Sequence, residues 1–198
     1  MRHLLQLLPA AALWAALSAP AVEIAGVKLP DSAVLATSST PLVLNGAGLR
    51  SSFMIKVYVI GLYLEEKKQT AEQVLALKGG KRIEIVLLRT ASAQQLTDGL
   101  IDVMMQNSSE AELAPLKSSI EEFRALLLSL KEVPKGTVFQ IDYTPEQGTL
   151  LVVNGQARGK PIVGSQFHVA VLRIWIGNKP RQPDLKDAML GLDSLSKS

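Results

Sequence analysis

The alternation of side chains over residues 53–64 constrains the fold of this chain more than any other feature. Successive side chains of a β-strand point to opposite faces, so a period of two over this length predicts a long strand. One face would carry Phe53, Ile55, Val57, Val59, Gly61 and Tyr63, and the other Met54, Lys56, Tyr58, Ile60 and Leu62. We expect the first set to face the core. Before this run, the dipeptide Asn45-Gly46 predicts a turn that ends a strand over residues 40–44.

The order of the predicted elements indicates an α+β fold. Strands are predicted at residues 21–28, 81–88, 137–143, 149–153 and 158–163, and helices at 71–77, 92–106, 110–130, 167–176 and 185–190. Strands come early and late, with helices grouped in the middle and at the end. This order favours a mainly antiparallel sheet with helices packed on one face. A chain of 198 residues suits one such domain.

Residues 1–21 have the layout of a secretory signal peptide. Arg2 and His3 precede an apolar run at residues 4–17, and Ala19-Pro20-Ala21 supplies the small residues of a cleavage site before Val22. An uncleaved anchor is the alternative, but it normally needs about 20 apolar residues. We therefore expect a mature domain of residues 22–198 that is periplasmic or secreted and has no membrane span after cleavage. The chain has no cysteine, so export without disulfides fits a bacterial periplasm best.

Composition and motifs argue against several classes of function. The formal charge of +3 is too small to indicate nucleic-acid binding. Asn45-Gly46-Ala47-Gly48 superficially matches a dinucleotide-binding loop, but a strand follows it instead of a helix, so we expect its glycines to permit positive φ in a tight turn. His3 and His168 are the only histidines, so no metal site, no cofactor and no serine-histidine triad is predicted. We interpret His168 as a structural polar residue in an apolar helix.

Arg50 is the residue with the clearest binding chemistry. Its guanidinium could hold a carboxylate or an enolate at the end of an apolar cleft, although pairing with an acidic side chain is the alternative. Tyr58 follows eight residues later, which is about 26 Å along a straight strand. Arg50 and Tyr58 can therefore meet at one ligand only if the chain bends near Ser51 and Ser52.

These segments resemble a known protein family. LNGAGLR followed by FMIKVYVIGLYLEE is similar to the glycine-arginine turn and the following strand of chalcone isomerases and their relatives. Ser92-Ala93-Gln94-Gln95 resembles the start of a helix in that family, and VAVLRIWIG at residues 169–177 resembles its late helix. The resemblance spans nearly the whole mature chain. It implies an open-faced β-sandwich, in which a large, mainly antiparallel sheet carries a layer of helices.

The resemblance also implies candidate site residues. Arg50 matches the arginine that stabilises the attacking oxyanion in the plant enzymes. Where those enzymes have polar side chains, this chain aligns Tyr58 with a threonine, Leu96 with a tyrosine, Val103 with an asparagine, and Ile174 with a threonine or serine. Without these hydroxyl and amide groups, the cleft is more apolar and less able to order water or a phenolic substrate.

Three functions are compatible with the resemblance. Non-catalytic relatives bind fatty acids with an arginine and a tyrosine near the carboxylate. The leading hypothesis is therefore an exported, non-catalytic protein that binds a small apolar anion, such as a fatty acid, through Arg50, Tyr58, Leu96, Val103 and Ile174. The second is an intramolecular lyase or isomerase that uses Arg50 on an enone or phenolic substrate. The third is an envelope interaction protein with a vestigial cleft.

Overall fold

The structure, a computed structural model, describes residues 21–36 and 38–192. The predicted signal peptide, apart from Ala21, lies outside the described residues. The strands are β1 (Ala21–Ile24), β2 (Val27–Pro30), β3 (Ser32–Val34), β4 (Pro41–Ser52), β5 (Ile55–Leu64), β6 (Lys81–Leu87), β7 (Ala91–Ser92), β8 (Glu132–Val133), β9 (Val138–Thr144), β10 (Gly148–Val153) and β11 (Gln156–Ile162). The helices are α1 (Ala71–Ala76), α2 (Ala93–Gln106), α3 (Glu110–Leu113), α4 (Lys117–Leu128), α5 (Ser165–Ile176) and α6 (Pro183–Met189).

A seven-stranded sheet with the order β11-β10-β9-β6-β5-β4-β3 forms the centre of the fold, and each neighbouring pair is antiparallel. The predicted α+β class with a mainly antiparallel sheet is therefore confirmed. The single helix predicted at 110–130 is divided by a 3-10 segment, Ala114–Leu116, because Pro115 has no N–H to continue an α-helix. No helix within the described ranges combines the length and apolar character that crossing a membrane requires.

Both faces of β5 are covered, but by different parts of the chain. Ile60 and Leu62 lie in the main core beneath the helices, whereas Val59 and Tyr63 belong to a smaller cluster that includes residues of β2 and β4. The expectation that the set from Phe53 to Tyr63 faces the core is wrong for the main core, and Phe53 is 98% exposed. Alternation separates two faces of a strand, but when both faces are apolar it does not show which one meets the helices.

The hairpin turn between β4 and β5 lies at Phe53-Met54 and not at Asn45-Gly46, so the predicted turn is wrong. Strand β4 continues through Asn45-Gly46, with a shift of register between Leu44 and Gly46. The residues with positive φ in this hairpin are Phe53, at 47°, and Met54, at 67°. The glycines of β4 therefore serve a purpose other than a left-handed backbone.

Helix α6 explains these glycines, because it packs directly on the backbone of β4. A Cβ atom at Gly46 would lie 2.1 Å from the carbonyl oxygen of Ala188, and one at Gly48 would lie 2.7 Å from Cδ1 of Leu185. Asn45, which is itself buried, donates a hydrogen bond of 2.8 Å from Nδ2 to the carbonyl oxygen of Met189 at the end of α6. The Asn-Gly pair is thus a helix-docking element within a strand.

We predict that Gly46→Ala destabilises the protein, since the added methyl group meets backbone atoms that cannot move aside. Overpacking of this kind costs about 1–3 kcal/mol of unfolding free energy. Gly99→Ala is the matched control. Gly99 lies within α2, where an added Cβ has its nearest neighbour at 3.9 Å, so this substitution should stabilise the helix by up to about 1 kcal/mol. Chemical denaturation measures both values, and equal effects of the two substitutions would contradict close helix docking.

His168, on α5, lies in a buried polar cluster with Tyr143, Thr149 and Lys81. Its ring stacks on Tyr143 with centroids 4.7 Å apart, and its Nδ1 lies 3.3 Å from Oγ1 of Thr149. The ammonium group of Lys81 lies 4.8 Å from the centre of the Tyr143 ring, on a side chain that is also buried. Burial, with a smaller contribution from the charge of Lys81, lowers the pKa of His168 to about 3.

This lowered pKa predicts a specific acid sensitivity. Between about pH 6.5 and pH 3 the unfolded chain binds a proton at residue 168 and the folded chain does not, so stability falls as pH falls through this range. His168→Phe removes the titration and should flatten this part of the stability profile. Loss of the Thr149 contact would lower stability by an amount that does not depend on pH. Denaturation of both proteins from pH 7 to pH 3 measures the slopes, and parallel profiles would contradict a buried neutral imidazole.

Candidate functional site

An apolar cavity of about 210 Å³ lies between the sheet and the helix layer. Its buried surface comes from β6, β9 and β10 on one side and from α2, α4 and α5 on the other. The apolar lining residues from these elements are Ile85, Leu87, Ala93, Leu96, Leu100, Val103, Phe123, Leu127, Phe139, Ile141, Leu151, Ile174 and Trp175. Because the sheet and the helices present apolar side chains inward, a ligand here would lose contact with water over most of its length.

Arg50 is placed at the polar part of this cavity by β4 and α6. Its Nη1 donates a hydrogen bond of 3.1 Å to Oε1 of Gln182 and another to the carbonyl oxygen of Ser51. Gln182 also accepts a bond of 3.0 Å from the N–H of Ser51, and its Nε2 donates to the carbonyl oxygen of Leu49 at 2.9 Å. Gln182 thus ties the loop before α6 to the strand that carries Arg50.

The charge of Arg50 has no acidic partner within the described ranges, where each ion pair involves other residues. The cavity lining contains Arg181 as a second cation, and Arg181 pairs with Asp102 at 3.8 Å. The guanidinium of Arg50 therefore keeps N–H groups available to an anion in the cavity. The alternative considered from the sequence, in which an acid neutralises Arg50, does not match this geometry.

Tyr58 faces Arg50 across the β4-β5 ladder. The turn at Phe53-Met54 places the two residues directly opposite each other in the register, so the 26 Å separation estimated for a straight strand at about 3.3 Å per residue does not apply. The bend is at the turn and not at Ser51 and Ser52, although the register does shift between Arg50 and Ser51. A cation and a phenol are thereby brought to one end of the same cavity.

Trp175 orients the phenol of Tyr58. Its Nε1 donates a hydrogen bond of 2.8 Å to the Tyr58 hydroxyl oxygen, which leaves the Tyr58 O–H to donate elsewhere. Burial raises the pKa of Tyr58, while the Trp175 bond and the nearby charges of Arg50 and Arg181 oppose this effect. Because the phenol stays protonated at neutral pH, it serves as a hydrogen-bond donor to an acceptor in the cavity.

The structure brings the five binding residues predicted from the sequence into one cavity. Arg50 and Tyr58 are at its polar end, and Leu96, Val103 and Ile174 contribute to its apolar wall. Their contact with a ligand stays a prediction. His168, by contrast, is absent from the cavity lining and lies in the separate cluster with Tyr143.

Trp175 and Gln182, which position the polar groups, are not among the site residues predicted from the sequence. Trp175 follows Ile174 directly, and an indole inside a buried helix needs a hydrogen-bond partner, so its position in an apolar helix could have indicated a polar contact. Gln182 precedes Pro183, the first residue of α6, and the helix had been predicted to begin two residues later. Nothing local indicates that the Gln182 side chain crosses to β4, more than 130 residues away in sequence.

The comparisons with known proteins agree with this architecture. The antiparallel sheet with a layer of helices on one face is an open-faced sandwich. The chain belongs to the chalcone isomerase-like family, whose model matches residues 21–191. Among solved structures, it is similar to a fatty-acid binding protein of Arabidopsis thaliana, with a TM-score of 0.66 and 14% identity over 86% of this chain and 96% of that one. At this identity the likeness shows the fold alone. No curated protein matches the sequence.

Proposed function

We propose that this protein is an exported, non-catalytic binding protein for a small apolar carboxylate such as a fatty acid. The observation that supports this most directly is the guanidinium of Arg50, which lies at the end of an apolar cavity and forms no ion pair with an acid of residues 21–36 or 38–192. Arginine suits a carboxylate because its planar N–H groups match two oxygens at once. The neutral Tyr58 hydroxyl supplies a further donor, and the apolar wall accommodates the hydrocarbon part.

The cavity size suggests a short hydrocarbon chain. An apolar protein cavity of about 150 Å³ holds one benzene molecule, and drug-sized ligands need about 300–1,000 Å³. By proportion, the observed 210 Å³ accommodates roughly eight carbon atoms. Longer chains would exceed this volume when their carboxylate is held at Arg50.

The composition of the lining supports binding over isomerisation. Among the residues that the structure describes, the lining contains no carboxylate and no imidazole, so none of these side chains is an evident general base. Leu96, Val103 and Ile174 occupy wall positions where the resembling enzymes carry hydroxyl and amide groups. The similar Arabidopsis protein is described as a fatty-acid binding protein, which agrees with the same proposal.

Binding of fatty acids by delipidated protein tests this function. Octanoate should bind, and Arg50→Gln should weaken it about 10-fold to 100-fold, because charge-assisted hydrogen bonds contribute about 1.5–3 kcal/mol. Affinity should rise by about fourfold for each methylene up to the length that fills the cavity, at about 0.8 kcal/mol per buried methylene, and then level off. Calorimetric titration with saturated acids of increasing length measures both trends.

Matched controls separate charge recognition from general damage. Arg124→Gln removes an arginine of α4 that pairs with Asp98 and does not line the cavity, so octanoate affinity should not change. Methyl octanoate should bind the wild type and Arg50→Gln equally, since it carries no charge. Failure of all the acids to bind the wild-type protein would reject the proposal. Arg50-dependent acceleration of chalcone cyclisation over the spontaneous rate would instead favour the isomerase.

Export is the second part of the proposal, and it rests on the pattern of residues 1–21. We expect the protein recovered from the periplasm or culture medium of a bacterial host to begin at Val22. Intact-mass measurement distinguishes this product from the full chain of 198 residues. A cell-associated protein that retains residues 1–21 would contradict cleavage and favour an anchor.

A further inference from the structure

The tip of the β4-β5 hairpin is an exposed apolar projection that the proposed binding function does not use. Phe53 is 98% exposed, Met54 99% and Ile55 51%. They are consecutive, and none of the three is among the residues that line the cavity. Scattered apolar side chains are normal on a protein surface, but three large ones in succession at a protruding turn are typical of an interaction site.

The backbone of this tip is unfavourable for the residues that occupy it. Ser52 pairs with Ile55, so the loop has two residues, and both have positive φ. Two-residue turns of this kind strongly favour Asn-Gly or a similar pair, because bulky side chains are strained in the left-handed region. Phe53 and Met54 gain no burial here that offsets the strain. Retaining large apolar groups at a strained, exposed turn indicates that they contact something outside the chain.

Basic residues surround the tip, which indicates the chemistry of that contact. Lys56 follows the turn on β5, and Arg89 lies beside it because the N–H of Leu88 donates to the carbonyl oxygen of Val57. Lys135 is held close by, where its N–H donates to Oγ1 of Thr90. The segments next to the tip, residues 49–58, 87–91 and 133–137, contain Arg50, Lys56, Arg89 and Lys135 and no aspartate or glutamate. The positive charges predominate around the apolar projection.

We propose that the Phe53-Met54-Ile55 tip docks on the surface of an anionic phospholipid bilayer. Interfacial binding requires apolar side chains that enter the boundary between headgroups and acyl chains, together with basic groups near the headgroups. Arg50 and Ser52 line the cavity and precede the tip on β4, so docking would bring the cavity rim to the lipid surface. The docking surface itself does not depend on which ligand occupies the cavity.

Vesicle sedimentation tests the proposal with the full chain. Wild-type protein should bind vesicles of phosphatidylcholine and phosphatidylglycerol, and bind pure phosphatidylcholine vesicles more weakly. The double variant Phe53→Asn, Met54→Gly should bind the anionic vesicles at least about tenfold more weakly. Its melting temperature should rise, because Asn-Gly suits the turn. Residues 1–21 are the same in both proteins, so a difference in vesicle binding between them is due to positions 53 and 54.

Two further variants separate the tip from general surface effects. Lys56→Glu should weaken binding to anionic vesicles, whereas Lys67→Glu, an exposed lysine at the opposite end of the sheet, should change it less. The chain contains no cysteine, so Met54→Cys and Val163→Cys each give one attachment point for an environment-sensitive dye. A blue shift on anionic vesicles is expected at position 54 and not at the exposed position 163.

Several outcomes would overturn bilayer docking. One is equal vesicle binding by the wild type and the Phe53→Asn, Met54→Gly variant. A wild-type protein that does not bind vesicles would also overturn it. So would identical dye shifts at positions 54 and 163. Sedimentation equilibrium that shows a wild-type dimer and a monomeric tip variant would assign the tip to a second copy of the chain. Octanoate binding by the tip variant should match that of the wild type, so failure of docking and failure of the proposed ligand function are distinguishable.

Discussion

The contact of α6 with the backbone of β4 is the constraint on which the candidate site depends. Gly46 and Gly48 permit a close approach that no larger residue allows, and Asn45 fixes the end of the helix by a hydrogen bond. The start of the same helix carries Gln182 to Leu49, Arg50 and Ser51. One short helix therefore closes part of the cavity and holds its cation.

The polar end of the cavity follows from a second constraint, the pairing of β4 with β5. An antiparallel hairpin places residues on both sides of its turn opposite each other, which brings Arg50 and Tyr58 together. Trp175, from the helix layer, donates a hydrogen bond to the hydroxyl oxygen of Tyr58. A cation from β4, a neutral phenol from β5 and an apolar wall from the other strands and the helices line one cavity, and this combination is suited to recognising an amphipathic anion. The same hairpin projects Phe53 and Met54 into solvent, so the cavity residues Arg50 and Tyr58 and the exposed tip belong to one hairpin.

Much of the fold was predictable because periodicity and turn residues are local properties. The strands at 81–88, 137–143 and 149–153 and the helices at 92–106 and 167–176 agree with β6, β9, β10, α2 and α5 to within one or two residues. The hairpin turn was misplaced because Asn-Gly usually marks a turn, while Phe-Met, which forms the turn, has no such preference. Of the candidate site, Arg50 was a candidate from its own chemistry, and the family resemblance supported it and added Tyr58, Leu96, Val103 and Ile174. The contacts that orient Arg50 and Tyr58 were not identified, because they join residues far apart in sequence.

The sequence by itself determined the alternation of β5, the apolar stripes of the helices, and the presence of an arginine shortly before this alternating run and a tyrosine within it. Only the tertiary structure decided which face of β5 meets the helices and why β4 contains glycines. It also decided that Gln182 and Trp175 orient the polar groups. The physical reason is that the periodicity of side chains depends on neighbouring residues. Which face of a strand is buried, how closely two backbones approach and which groups form hydrogen bonds depend on what packs against a residue from elsewhere in the chain.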